Sequence, residues 1–530
     1  MKVVDLETGA LREGGAPRLF SRDHIGVLAQ YATVGLVDAV MPATIYPFLQ
    51  NYLNVSGTTA VTATTLVALP WSFKVFYGIL SDCVPIRGYR RRPYMVLGWM
   101  ICIVMLFLMG CMTVDKPYWN RPEDAYIDRE HDPLAYAMAL ARANKEAPTS
   151  GGKYVLVMMF SAFGYVMSDV CADGIVVELA QREPLNVRGR TQSAVYSTRT
   201  AFNIVGQLIV GFAFNGREYG GAFDFALTFP MLMLSLAFWI LPIIPIAWFF
   251  INEKKHEPAT FSVYMRELWS AIQTRAVHQI MFYQFFSGIF AGITYTSSSP
   301  VQRYLVHVTP INSVISGIVG TFAFLVGIAV TGKFGLHWNW RAMIVLTGAL
   351  VIFLDAITTF VTIWDIYRSQ WFWLGLPIAI NLPAGINFLI GTFVTIELVG
   401  EGNEGAMYGL LTTVSNLSSP FAATLTKIID AHWDLSNERI QEDTEQVRLD
   451  ISYTILIMYA TNVISWMFLV FLPPQKAETQ VLKRTGGSSK LLGGLTIAYV
   501  AFALLWSITT NILGIFESTA CLVIAGGKGC

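Results

Sequence analysis

Charge is what this chain is shortest of. Asp, Glu, Lys and Arg make up 14% of its 530 residues, where soluble domains carry roughly 25%. The 36 basic and 36 acidic residues cancel, so the positive field that draws a nucleic-acid partner is missing and none is expected. Six cysteines form no Cys-x-x-Cys pair and seven histidines are scattered, which excludes a zinc or redox module and a disulfide scaffold. Neither His-Glu-x-x-His nor Gly-x-Ser-x-Gly occurs. The run Gly327 to Lys333 imitates a phosphate loop only until Phe334 stands where Ser or Thr must hold magnesium. No enzyme activity, metal or cofactor is expected. Residues 1–24 hold no apolar signal-peptide core.

What the chain has in excess is apolar surface: 54% hydrophobic residues, 13% aromatic and a mean hydropathy of +0.51. That much cannot be hidden in one or two water-soluble cores, so the surplus faces lipid. A helix needs ~20 mostly apolar residues to cross a bilayer. Runs of that kind lie at 25–50, 60–81, 93–114, 154–180, 192–214, 226–251, 279–302, 311–332, 342–364, 371–398, 405–427, 451–472 and 491–516.

Lys and Arg collect in alternate loops. Arg87, Arg90, Arg91 and Arg92 come first, then Arg182, Arg188 and Arg190, then Lys254, Lys255, Arg266 and Arg275. Lys333 and Arg341 follow, then Lys476, Lys483, Arg484 and Lys490. These loops and the N-terminus are therefore expected in the cytoplasm. The long 115–153 loop departs from the pattern, as long loops do. The acidic stretch 430–450 reads as solvated surface on the outer side. Thirteen spans leave the C-terminus outside, where Cys521 and Cys530 are able to pair.

The polar segment 252–278 divides the first twelve spans six and six. The expected organisation is a cytoplasmic segment 1–24, a six-helix bundle 25–251, the linker 252–278, a second six-helix bundle 279–472, a cytoplasmic loop 473–490, an additional helix 491–516 and a tail 517–530. Two six-helix halves about a cytoplasmic linker make an all-α polytopic protein of the major facilitator architecture, with its solute site near the midplane.

Residues 70–94 carry the most informative local pattern. Gly78 lets a neighbouring backbone approach. Four residues on, Asp82 is placed to pair with an arginine or a helix N-terminus across the interface of the halves. Arg90, Arg91 and Arg92 then cluster at the membrane surface, and Pro93 suits the first turn of the next span. This stretch resembles the Gly-x-x-x-Asp-x-x-Gly-Arg-[Arg/Lys] gating signature of facilitator transporters. Pro70-Trp71-Ser72-x-Lys74 through Tyr77-Gly78-x-x-Ser81-Asp82 is, more narrowly, similar to the folate–biopterin transporter family. So are Ser168 to Glu178, Gly189-x-x-Gln192-Ser193 and Arg199 to Gly206. The resemblance covers 25–472 and implies a secondary active carrier of folate, biopterin or a related pterin. The thirteenth span has no counterpart in a twelve-helix plan.

A charge at membrane depth costs ~2.5–3.5 kcal/mol on the lenient insertion scale and is placed toward protein or water. Asp38, Lys74, Asp169, Asp173, Arg199 and Asp355 all lie within spans. Asp169 and Asp173 are four apart and share a helix face, with Lys74 and Arg199 the cations available in the same half. Two readings compete. In one, the cations attract an anionic solute while Asp169 or Asp173 exchanges a coupling proton; in the other, the same residues form a closed network that only holds helices together. A pterin also needs amides and aromatic faces. Asn203, Gln207, Gln284, Tyr295 and Asn387 are the candidates carried forward, with Gln30, Tyr31, Asn381 and Asn416 as further options. A carrier of another organic anion or a nucleoside, or a receptor or scaffold on the same fold, remains an alternative. The expected protein is a monomer in the lipid bilayer, the cell surface being favoured over an organelle.

Overall fold

The computed structural model describes residues 9–55, 57–127, 132–221, 223–255, 260–435 and 437–513, together with Thr519 and Leu522. The Cys521–Cys530 pairing lies outside them. Each of the thirteen apolar runs contains a helix: α1 (Ile25–Ala43), α2 (Gly57–Ala68 and Lys74–Cys83, joined by the 3₁₀ stretch Leu69–Phe73), α3 (Arg92–Cys111), α4 (Gly151–Gln181), α5 (Arg190–Leu208), α6 (Phe229–Ile240 and Ile243–Phe249) and α7 (Arg275–Gly292). Then come α8 (Pro310–Phe334), α9 (Trp340–Ile363), α10 (Gln370–Leu398), α11 (Glu404–Asp430), α12 (Glu445–Ser465) and α13 (Lys490–Leu513). A helix at Phe261–Gln273 occupies the linker, and another at Lys476–Thr485 precedes α13.

Among the described residues, 10 of these helices are long and apolar enough to cross a membrane. The three others, α5, α7 and α11, carry polar groups that bond to neighbouring elements or line the cavity between the halves. Gln207 of α5 donates to Thr321 of α8 (2.9 Å), Ser287 of α7 to the Ser465 carbonyl of α12 (3.3 Å), and Thr426 of α11 accepts the amide of Thr294 just beyond α7 (3.0 Å). Apolarity along the sequence thus understates an inner helix, because the membrane only tests the face it touches.

The packing repeats between the first six helices and the second six. α1 lies on α5 as α7 lies on α11; α3 lies on α4 as α9 lies on α10; α3 touches α6 as α9 touches α12. The two sets meet along two seams, α2 against α11 and α5 against α8. Gly78 shows why the first seam is tight: a Cβ there would collide with the backbone of Gly405. α4 is the most enclosed element, buried at almost every position from Ser161 to Gln181. α13 stands outside the twelve, against α11, α7, the start of α2 and the linker helix.

The acidic stretch after α11 is not merely solvated. Asp443 accepts hydrogen bonds from Arg368 (2.6 and 3.0 Å) and Arg448 (2.9 Å twice), tying the α9–α10 loop to the start of α12. Burial works against ionisation there, but the hydrogen bonds from Arg368 and Arg448 prevail and hold the carboxyl down to about 2.

Candidate functional site

Pro70 lies in the 3₁₀ stretch that breaks α2, and Lys74 opens the helix that follows. Its side chain is 6% exposed, and Nζ lies 2.8 Å from Asp169 Oδ2 and 3.0 Å from Asp173 Oδ2. The two carboxylates are held side by side because a four-residue step returns to the same face of α4. Arg199 of α5 continues the chain of charges, 3.5 Å from Asp169 and 3.1 Å from Asp38 of α1. Phenols supply the remaining donors: Tyr31 to Asp173 at 2.5 Å, Tyr165 to Asp38 at 3.2 Å and Tyr196 to Asp173 at 3.4 Å. Trp71 lies under both cations, with Lys74 Nζ 4.7 Å and Arg199 5.0 Å from its ring centre, a cation–π geometry. Two cations thus face three carboxylates, and the cluster carries one excess negative charge when all are ionised.

The cluster borders a cavity of about 400 Å³. Trp71, Lys74, Tyr196, Arg199 and Asn203 line it from the first half, and Phe324, Phe388, Tyr408 and Asn416 from the second. The hydroxyls of Tyr196 and Tyr408 meet at 2.5 Å and join the halves across it. A second cavity of about 580 Å³ shares Trp71, Arg199 and Asn416 and runs past Asp38, Thr64, Pro420 and Ala423 to Ser507 of α13. It leads toward the end of the bundle opposite the arginine loop. Asp169 and Asp173 are buried behind Lys74 and Arg199, so the cations, not the carboxylates, are presented to the cavity.

The structure separates the other polar residues singled out in the sequence. Asn203 lines the central cavity and accepts from Gln207 at 2.8 Å, while Gln207 itself is in the α5–α8 seam. Gln284 and Asn387 line a different cavity, of about 280 Å³, inside the second half. Asn387 also accepts from Thr347 at 3.0 Å. Asp355 receives the hydroxyl of Tyr459, and Tyr295 packs on the small apolar cluster around Val301 and Ile363. These four do not share a site with Lys74, because their helix faces turn into the second bundle. Gln30 accepts the indole of Trp99 at 2.5 Å and is a helix–helix contact. Trp71, Tyr196, Tyr408, Phe324 and Phe388 received no individual role from the sequence. Tyr196 and Tyr408 left one trace there, a phenol within the first turns of an apolar run, since a buried hydroxyl needs a partner.

At the basic end the cavity is shut. Asp82 pairs with Arg91 and accepts the Ala406 amide at the start of α11 (2.9 Å) and the Tyr264 hydroxyl of the linker helix (2.7 Å). Glu404 joins Arg91 at 3.6 Å and pairs with Arg12 of the N-terminal segment. Glu253 of the linker caps the arginine loop, accepting the amides of Arg90, Arg91 and Arg92 at 2.7, 2.9 and 3.0 Å. Arg90 also reaches the Gly402 carbonyl at 3.4 Å. Beside the α5–α8 seam, the end of α4 and the loop after it join the end of α10: Arg188 grips Glu397 at 2.8 and 2.9 Å, and Gln181 donates to the carbonyls of Ile396 and Val399 at 3.0 Å each. Lys476 and Lys483 cover this junction, and burial pulls each ammonium down to about 8. Arg12, Glu253 and Glu404 were not singled out in the sequence, because their partners are distant along the chain.

Comparison with solved structures gives the same architecture. The crystal structure of a D-xylose-proton symporter superposes with a TM-score of 0.54 at 12% identity, covering 86% of this chain and 98% of that one. A second, the major facilitator proton:xylose symporter bound to 6-bromo-6-deoxy-D-glucose, gives 0.53 over 89% of this chain and 98% of that one, again at 12% identity. The fold is therefore the major facilitator fold with a thirteenth helix, in a multi-pass membrane protein. Among curated proteins, the folate-biopterin transporter of Synechocystis sp. is 24% identical over 432 residues, 79% of this chain and 76% of the relative. Folate transporter 1 of Plasmodium falciparum is 19% identical over 418 residues, 77% and 71%. The BT1 family matches residues 34–120 and 135–487, a span that holds the arginine loop, the paired aspartates, both seams and the central cavity, and the chain belongs to that family.

Proposed function

We propose that the protein is a secondary active carrier that moves folate, biopterin or a related pterin by alternating access. One observation carries this reading: a cavity between the halves that presents two cations from one side and aromatic faces from the other. A pterin is flat and suits Trp71, Phe388 and Tyr408, while the carboxylates of a folate tail suit Lys74 and Arg199. Closure at the basic end and a path toward the opposite end describe one extreme of a rocking cycle. The charge distribution puts the basic end in the cytoplasm, so this extreme faces outward.

The same charges supply a route for coupling. Substrate carboxylates drawn to Lys74 and Arg199 compete with Asp169, Asp173 and Asp38 for the two cations. A carboxylate that loses its cation in a low-dielectric site takes up a proton, which ties solute binding to protonation. The segment boundaries drawn at 25–251, 252–278 and 279–472, a monomeric state and a plasma-membrane location complete the proposal.

Counterflow into proteoliposomes tests it. Labelled folate should accumulate against unlabelled folate. Exchange only with another organic anion or a nucleoside would overturn the pterin assignment, and no exchange with any solute would overturn transport. Proton coupling predicts that an inward-directed pH gradient speeds uptake and that Asp169→Asn or Asp173→Asn abolishes the effect. Uptake indifferent to the gradient in every form would remove the coupling role.

A further inference from the structure

Besides bordering the outer path at Ser507, the thirteenth helix builds a cavity of about 850 Å³, twice the volume of the central one. The cavity lies between α7, Phe471 at the end of the 3₁₀ stretch Trp466–Phe471 that follows α12, and the first half of α13, at the basic end of the bundle. Its depth is largely apolar, lined by Phe282, Phe286, Phe471, Leu492, Leu495 and Tyr499, with His278, Gln279 and Thr496 as polar members. Its mouth is polar. The turn 486–489 is fixed to the junction of the linker helix and α7 by the Arg275 amide on the Gly487 carbonyl (3.0 Å) and the Ser489 amide on the Gln273 carbonyl (2.9 Å). That attachment holds Arg275, Ser488 and Ser489 around the opening. Arg275 is exposed and donates through Nε to Gln279 at 3.2 Å. Lys490, also exposed, stands one residue beyond Ser489. Neither cation has a carboxylate partner among the ion pairs of the described residues.

We propose that this cavity binds an anionic phospholipid of the cytoplasmic leaflet, with an acyl chain in the slot between α7 and α13 and its phosphate between Arg275 and Lys490. The chemistry matches at both ends: an apolar slot with no charged lining beyond its mouth, and two cations without a carboxylate at headgroup level. Basic residues near a membrane surface attract anionic lipid at about 1 kcal/mol each, a factor of about five in affinity. A folate or pterin suits the slot less well than an acyl chain, since most of its lining offers no partner to ring-edge donors and acceptors. The lipid also gives α13 a purpose, because the ligand bridges it to α7 and so to the moving half.

The test is native mass spectrometry of the full chain released from micelles containing either dioleoylphosphatidylglycerol or dioleoylphosphatidylcholine. The expected result is one phosphatidylglycerol retained, with phosphatidylcholine held much more weakly. Arg275→Gln and Lys490→Gln should each weaken retention about five-fold. Ala498→Phe, which fills the slot from an exposed position on α13, should abolish it. A thermal shift with phosphatidylglycerol should be lost in parallel, and the variants' own melting points without lipid show that they fold. Equal retention of the two lipids would overturn the headgroup assignment. Retention unchanged in Ala498→Phe would overturn the location. No lipid retained by the parent protein, or lipid displaced by folate, would overturn the site altogether.

Discussion

Lys74→Met removes one positive charge and keeps the apolar stem beside Trp71. In the parent protein the ammonium serves two carboxylates at 2.8 and 3.0 Å from a side chain that is 6% exposed. Without it, Asp169 retains Arg199 at 3.5 Å and Asp173 retains only phenols. The formal charge of the cluster falls from minus one to minus two. Breaking a buried pair by deleting one partner costs about 3–5 kcal/mol, so the variant should unfold several degrees below the parent. Lys74→Met combined with Asp173→Asn restores the cluster to minus one. Its melting point should recover most of the loss, because the carboxylate left without a cation is the one removed. Intrinsic tryptophan fluorescence reports the melting, and folate counterflow, measured alongside, should be lost in the single variant. A single variant as stable as the parent, or a double variant no better than the single, would refute the assignment of Lys74 as the cation that neutralises this helix face.

Other expectations follow from the same contacts. Arg91→Gln breaks the closure at the basic end, so buried Cys83 and Cys171 should react faster with N-ethylmaleimide; unchanged rates would deny that Arg91 holds the gate. Lys476 and Lys483 are held at about 8 by burial, below their unfolded values near 10.4. The unfolded chain therefore binds more protons between pH 8 and 10, stability should rise with pH across that window, and Lys476→Met should flatten the rise in a melting series. Asp443 is held down to about 2, so its contribution is complete above pH ~4 and lost as pH falls toward 2. At neutral pH, Asp443→Asn should cost about 1.5–3 kcal/mol, and a melting point equal to the parent's would remove the clamp.

The membrane plan was legible because lipid imposes a rule that a single sequence must obey segment by segment: about twenty apolar residues for each crossing. The same rule marks the exceptions. A charge at depth stands out against an apolar run, and Lys74, Asp169, Asp173 and Arg199 came together as their spans and the four-residue step suggested. Asp82 likewise met both of its expected partners, an arginine and the N-terminus of a helix from the other half. Amides gave weaker information. Gln284 and Asn387 look the same in sequence as Asn203, but they open on another cavity, because an amide satisfies a helix–helix contact as readily as a ligand. The acidic stretch after α11 misled for a related reason: charge alone does not reveal whether an arginine from another loop has folded onto it.

The sequence alone determined how many apolar runs there are, which loops are basic and which side chains lipid would reject, since all of these depend on local composition. Only the tertiary structure decided who meets whom. Lys74 reaches carboxylates 95 and 99 positions away, Tyr196 meets Tyr408 across the halves, Arg12 reaches Glu404, and α13 encloses a slot against α7. Those pairings follow from helix rotation and crossing, and no periodicity within one helix encodes the rotation of another.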